Sequence, residues 1–289
     1  MGSEDFFFYL RSWLEYRIIL SSRKLIQPHK TMNTSMNTSK LTTLAAALAS
    51  AQIASAAVII NHDFGGTGNL DTETADFFDS AITTAGGSDS WVAATTFDAD
   101  GTVSGEWDSA YLTVGSFIND TKGTASGKFT ATATLDVGSL SDWIGFGFFE
   151  TNAPNELGAF TTDDQGSGTL IYRDDGTLDG FGGLGTNNSV DGGTSTFSGS
   201  QLLTIVLDLT PAGGYDGTGN FGDITFYQGD VDTGTVLGSE EYTTDRTFGA
   251  FGLTATNGGS GSASGLTLEQ VPEPSAAVRV QDKKVNWLG

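Results

Sequence analysis

The sequence predicts an antiparallel β-sandwich of jelly-roll type, preceded by a short apolar helix. Three observations carry this. Apolar residues between Ala57 and Gln270 recur with period two rather than 3.6. Clusters of Gly, Asp and Asn separate the short apolar runs. Amphipathic segments of ten or more residues are missing after the apolar N-terminal stretch, which leaves two sheets burying each other's apolar faces as the expected architecture.

Taken in chain order, residues 1–31 form a doubtful extension, because their composition differs from everything that follows. Arg11, Glu15 and Arg17 interrupt their apolar run, which makes a poor membrane span. Met32 and Met36 offer two later starts. Residues 32–56 have the three parts of a signal peptide: Lys40, the apolar run Leu41–Ala51, and a small-x-small triplet at Ala54-Ser55-Ala56. Cleavage after Ala56 would leave Ala57 as the first residue, and the protein is then expected outside the cytoplasm.

Residues 57–270 form the expected sandwich. In GKFTATATLDV, Phe129, Ala131, Ala133, Leu135 and Val137 share one face, with Lys128, Thr130, Thr132, Thr134 and Asp136 on the other: a strand with one wet face. QLLTIVLDL sets Leu203, Ile205, Leu207 and Leu209 against Thr204 and Asp208. DITFYQ, FGAFGLTA and SGLTLEQ read as further strands, and TNGGSGSASG as a hairpin turn. WIGFGFFET places Ile144, Phe146 and Phe148 opposite Trp143, Gly145, Gly147 and Phe149, and glycines in a strand mark a close approach from a neighbour.

Charge narrows the partners. The formal net charge is −22. Between Ala57 and Gln270 the basic residues are only Lys122, Lys128, Arg173 and Arg246. Such a body repels nucleic acid and anionic membranes, whose binding rests on neutralisation by Lys and Arg. With no cysteine, disulfides and thiolate metal sites are excluded.

The last residues, 271–289, carry a resemblance. Val271-Pro272-Glu273-Pro274-Ser275 is similar to the opening of the PEP-CTERM sorting signal of Gram-negative bacteria. That resemblance implies export, processing by an exosortase, and association with exopolysaccharide at the cell surface or outside the cell. The family's signal continues into a spanning helix and an arginine cluster. Here Ala276-Ala277-Val278 is followed by Arg279 and a polar, basic tail, so the signal reads as truncated, with no stable membrane anchor as written. The body resembles the concanavalin/laminin-G-like jelly rolls that often precede this signal, in the spacing of GKFTATATLDV, WIGFGFF, QLLTIVLDLT, ITFYQG and FGAFGLTATNGG. That fold hosts lectins, glycosidases and structural modules alike.

Candidate chemistry is sparse, and the chain is expected to be non-catalytic. Glucanases of this fold class carry paired carboxylates on one strand face. Glu106-Trp107-Asp108 matches in part, but Ala110 and Tyr111 stand where the second glutamate should fall. A hydrolytic triad needs a histidine, and only His29 and His62 exist. No cofactor is implied. Calcium is the one metal the loops would suit, through Asp216, Thr218, Asn220 and Asp223, whose oxygens alternate along a Gly-rich loop; ordinary Asp/Gly turn chemistry is the competing reading. Trp91, Trp107 and Tyr172 are the aromatics to examine first for glycan contact, with burial in the core as the equal alternative. The leading reading is an exported, non-catalytic sandwich of the envelope or extracellular matrix, for which a glycan-binding face and a polysaccharide partner are open additions. A divergent or inactive glycoside hydrolase of concanavalin-like fold and a purely structural matrix component are the alternatives.

Overall fold

A computed structural model describes residues 56–104, 107–150, 166–181, 196–210, 219–256 and 258–271. Among the described residues there are fourteen strands: β1 (Ala57–His62), β2 (Phe77–Phe78), β3 (Val92–Ala93), β4 (Thr102–Ser104), β5 (Asp108–Thr113), β6 (Lys128–Asp136), β7 (Trp143–Phe149), β8 (Gly166–Arg173), β9 (Leu178–Phe181), β10 (Gln201–Asp208), β11 (Asp223–Gln228), β12 (Thr235–Glu241), β13 (Ala250–Ala255) and β14 (Ser260–Gln270). Two single-turn α-helices, α1 (Ser80–Thr84) and α2 (Phe117–Asp120), and one 3-10 turn (Leu70–Thr72) join them among the described residues.

The strands form two antiparallel sheets. The larger runs β12-β11-β10-β6-β14-β1-β2, with β4 added beside β14, and the smaller runs β3-β5-β13-β7-β8-β9. The fold is therefore an all-β sandwich, as the period-two pattern predicts. The first and last strands are neighbours, with Ala57 opposite Gln270, so the described chain enters and leaves at one place on the larger sheet.

The core lies between the sheets and is built from the apolar half of each alternation. Phe129, Ala131, Ala133 and Leu135 of β6 and Leu203, Ile205 and Leu207 of β10 join Ile144, Phe146 and Phe148 of β7 and Phe251 and Leu253 of β13 in one buried cluster. Each of the larger side chains contributes about 1.5–3 kcal/mol by leaving water.

The TNGGSGSASG segment departs from its expected role. The turn is confined to its beginning, and β14 already starts at Ser260. Its small residues are needed because the strand is sandwiched closely: a Cβ at Gly261 would lie 2.8 Å from the Asp136 carbonyl oxygen and 2.6 Å from Leu140 Cδ1. A bulge between Ser264 and Thr267, with Gly265 at φ +64°, then shifts the register before β14 pairs with β1.

A candidate ligand groove on the larger sheet

The outward half of the β6 alternation is only half-buried, and it floors a groove of about 470 Å³. Lys128, Thr130 and Thr132 come from β6, Val206 from β10, Tyr227 from β11, Glu269 from the end of β14, and Val271 from just beyond it. Strand register explains the meeting. Thr132 stands opposite Thr204 and Thr267, Thr130 opposite Val206 and Glu269, and Thr204 opposite Tyr227. Opposed residues in an antiparallel pair share a face, so these side chains line one side of four adjacent strands.

The far wall is the β11–β12 hairpin, Gly229 to Gly234. Gly229 holds φ +93°, and a Cβ on Gly234 would lie 2.3 Å from the Asp230 carbonyl oxygen. Asp230 ties the turn together: Oδ1 accepts from the Asp232 and Thr233 amides at 2.9 and 2.7 Å, and Oδ2 from the Thr233 hydroxyl at 2.8 Å. The Thr233 hydroxyl and amide hold the Asp230 carboxyl below the usual carboxylate range. The hairpin also explains why β10 is not wet on its outer side. The Thr204 hydroxyl donates to the Gly229 carbonyl at 2.7 Å and is buried there.

Electrostatics at the groove are one-sided. Lys128 Nζ lies 3.1 Å from Asp208 Oδ2, which is not part of the lining. Burial pushes the Asp208 carboxyl up, but bonds from Thr210 and Lys128 together hold it below its ordinary value. Asp230, Asp232 and Glu269 supply the remaining charge of the lining.

The residues expected from sequence are scattered. Trp91 and Tyr172 are corrected: they are 2 % and 1 % exposed and belong to the core. Trp91 packs against His62 and Phe64, with ring centroids 5.2 and 5.9 Å away. Tyr172 is buried in the same main cluster, and its hydroxyl reaches the Gly199 carbonyl at 3.2 Å. Trp107 is 51 % exposed and sets its ring edge-on to buried Trp143, 6.1 Å away, on the other sheet. The Thr96 hydroxyl donates to Asp108 Oδ2 at 2.7 Å; Glu106 lies outside the described residues. In the proposed calcium loop, Asp216 and Thr218 also lie outside them. Asn220 Oδ1 accepts from the Gly222 amide at 2.6 Å, a local Asx turn, and Asp223 opens β11 opposite Asp208. Among the described residues no group of three His, Cys, Asp or Glu is placed to hold a metal. The cleavage triplet and the sorting motif lie outside the described residues except for Ala56, Ala57 and Val271; Ala56 and Val271 line the groove.

Sequence reasoning did not assemble the groove. Its one advance signal was the Thr-x-Thr face of β6, and nothing in the local sequence marks Tyr227 or the hairpin as its neighbours.

No protein-family model matches the chain, and no curated protein matches it. Among solved structures, the SPRY domain of human HERC1 is similar at 12 % identity and a TM-score of 0.34, covering 59 % of this chain and 88 % of that one. The Trypanosoma rangeli sialidase is similar at 10 % identity and a TM-score of 0.42, over 83 % of this chain; the match spans 37 % of the sialidase's length. The Emp46p carbohydrate recognition domain, in its metal-free form, is similar at 11 % identity and a TM-score of 0.37, over 71 % of this chain and 95 % of that one. These are likenesses of fold.

Proposed function

We propose that this chain is an exported, non-catalytic β-sandwich protein of the envelope or extracellular matrix, of the exosortase-sorted type, and that the groove on its larger sheet binds polysaccharide. The observation that carries the binding reading is the groove itself. It has the volume of a small-molecule site and crosses β14, β6, β10 and β11. At about 4.8 Å per strand step it spans about 14 Å, the length of a short oligosaccharide. Thr130 and Thr132 present hydroxyls to a sugar's hydroxyl rim, and Tyr227 presents a ring for its apolar face with a polar tip beside it.

The test of binding is a glycan array probed with the full chain and with Tyr227→Ala. Binding that the substitution weakens about five-fold or more supports the reading, taking about 1 kcal/mol for a stacked ring. An array with no ligand leaves a structural matrix component. The test of export is cell fractionation with N-terminal sequencing. Extracellular protein beginning at Ala57 is the expected result, and cytoplasmic protein beginning at Met1 overturns it.

A further inference from the structure

The charge around the groove narrows the ligand class. Every Lys and Arg of the sandwich is already held by a carboxylate. Lys122 Nζ lies 2.8 Å from Asp245, Lys128 3.1 Å from Asp208, Arg173 Nη1 2.7 Å from Asp142 with Asp179 on its Nε, and Arg246 3.2 Å from Glu150. An anionic glycan, whether uronate, sulfate or phosphate, would find no uncompensated base in this sandwich and would meet carboxylates instead. Like charges brought together in this way count strongly against a partner.

The carboxylates stand at both ends of the groove. Glu269 lies on β14 at one wall and Asp232 on the hairpin at the other, three strand steps apart. Asp230 is occupied by its own turn, whereas the side-chain carboxylates of Glu269 and Asp232 take part in no hydrogen bond or ion pair among the described residues and keep their acceptor capacity for a ligand. Between them lie the threonine hydroxyls, the Tyr227 ring and Lys128, whose ammonium is neutralised by Asp208 3.1 Å away. We infer that the groove selects a cationic amino-sugar polymer, a glycan whose hexosamine units carry free protonated amines, over neutral and anionic glycans. The inference rests on the reading of the groove as a polysaccharide site. It adds charge pairing at both rims to hydroxyl and ring contacts in the middle.

The test is calorimetric titration of the full chain with three probes: a glucosamine oligomer with free amines, the same oligomer N-acetylated, and an oligogalacturonate. The titration is run at about pH 6, below the usual range of an aliphatic amine, so that the free-amine probe is the cationic one. The free-amine oligomer is expected to bind about ten-fold or more tightly than the acetylated one, and the uronate not at all. Asp232→Asn and Glu269→Gln should each weaken it about two- to five-fold, the range for a partly exposed charge pair. Added salt should weaken it further. Because the whole protein is acidic, Asp89→Asn and Asp174→Asn, both exposed and away from the groove, serve as controls. If they weaken binding as much as the groove variants, net charge holds the polymer and the inference falls. Equal affinity for free and acetylated oligomers, unmoved by the groove substitutions, also overturns it while leaving polysaccharide binding intact. If none of the three probes binds, the amino-sugar inference falls. The glycan array then decides the broader reading by itself.

Discussion

The outer faces of the two sheets differ. On the larger sheet β6 alternates between buried and half-buried residues, and its outward threonines floor a groove. On the smaller sheet all seven residues of β7 are buried. Its outer side carries Tyr111, Phe149 and Ala250 as a second apolar cluster beside Val92, and buries Ser109, Thr169 and Thr254 as well. The lesson is that two sheets of one sandwich have different surroundings: the larger keeps a wet outer face on which the proposed groove lies, and strands β7 and β13 of the smaller are buried on both sides. Substitutions should then separate, with those on the smaller sheet acting on stability and those on the outer face of the larger sheet acting on binding.

The largest effect is expected from Phe146→Ala on the core side of β7. It removes a fully buried ring and should cost about 3–5 kcal/mol in urea unfolding. The next concerns the smaller sheet's outer face. Gly252 sits between Tyr111 and Gly147, and a Cβ there would lie 2.1 Å from the Ala110 carbonyl oxygen and 2.6 Å from Tyr111 Cα. Gly252→Ala should cost about 1–3 kcal/mol by overpacking. A loss below about 0.5 kcal/mol would show that this face is looser than its burial implies.

A third prediction uses pH. His62 is buried, 3.5 Å from Asp76 Oδ2, with neither ring nitrogen hydrogen-bonded among the described residues. Burial lowers its pKa, against Asp76, Glu73 and Asp63. The unfolded chain takes up the proton near pH 6.5, before the fold does. The neutral histidine's contribution is therefore present above that pH, and is lost as pH falls from there through the folded value. Melting temperature should drop over this range, and His62→Phe should shrink the drop. A His62→Phe profile identical to that of the parent would place the acid sensitivity elsewhere. The smallest effect on stability is expected from Thr132→Val on the larger sheet. Melting should change by less than about 0.5 kcal/mol, while glycan binding weakens. Equal losses from Thr132→Val and Gly252→Ala would erase the contrast between the sheets.

Much of the architecture was legible in the sequence because strand alternation is a local property. DITFYQ is β11 residue for residue, and the wet and dry sides of β6 follow its written pattern. The short helices were not legible. α1 is five residues long, capped by the Asp79 side chain on the Ala81 amide and anchored by Ile82, too short for a helical period to show. Nor was the fate of single aromatics. Trp91 follows Ser88-Asp89-Ser90 and Tyr172 precedes Arg173-Asp174-Asp175, yet both are buried in the folded protein, while Trp107 stays exposed.

Sequence alone determined the two-faced strands, the acidic body short of Lys and Arg, and the turns between strands. It did so because each of these is decided by residues a few positions apart. Tertiary structure alone decided which wet face became a groove. Thr132 of β6, Tyr227 of β11 and Glu269 of β14 come together only through the cross-strand register of segments far apart in the chain. A one-residue slip in any of those pairings would turn its side chains to the opposite face.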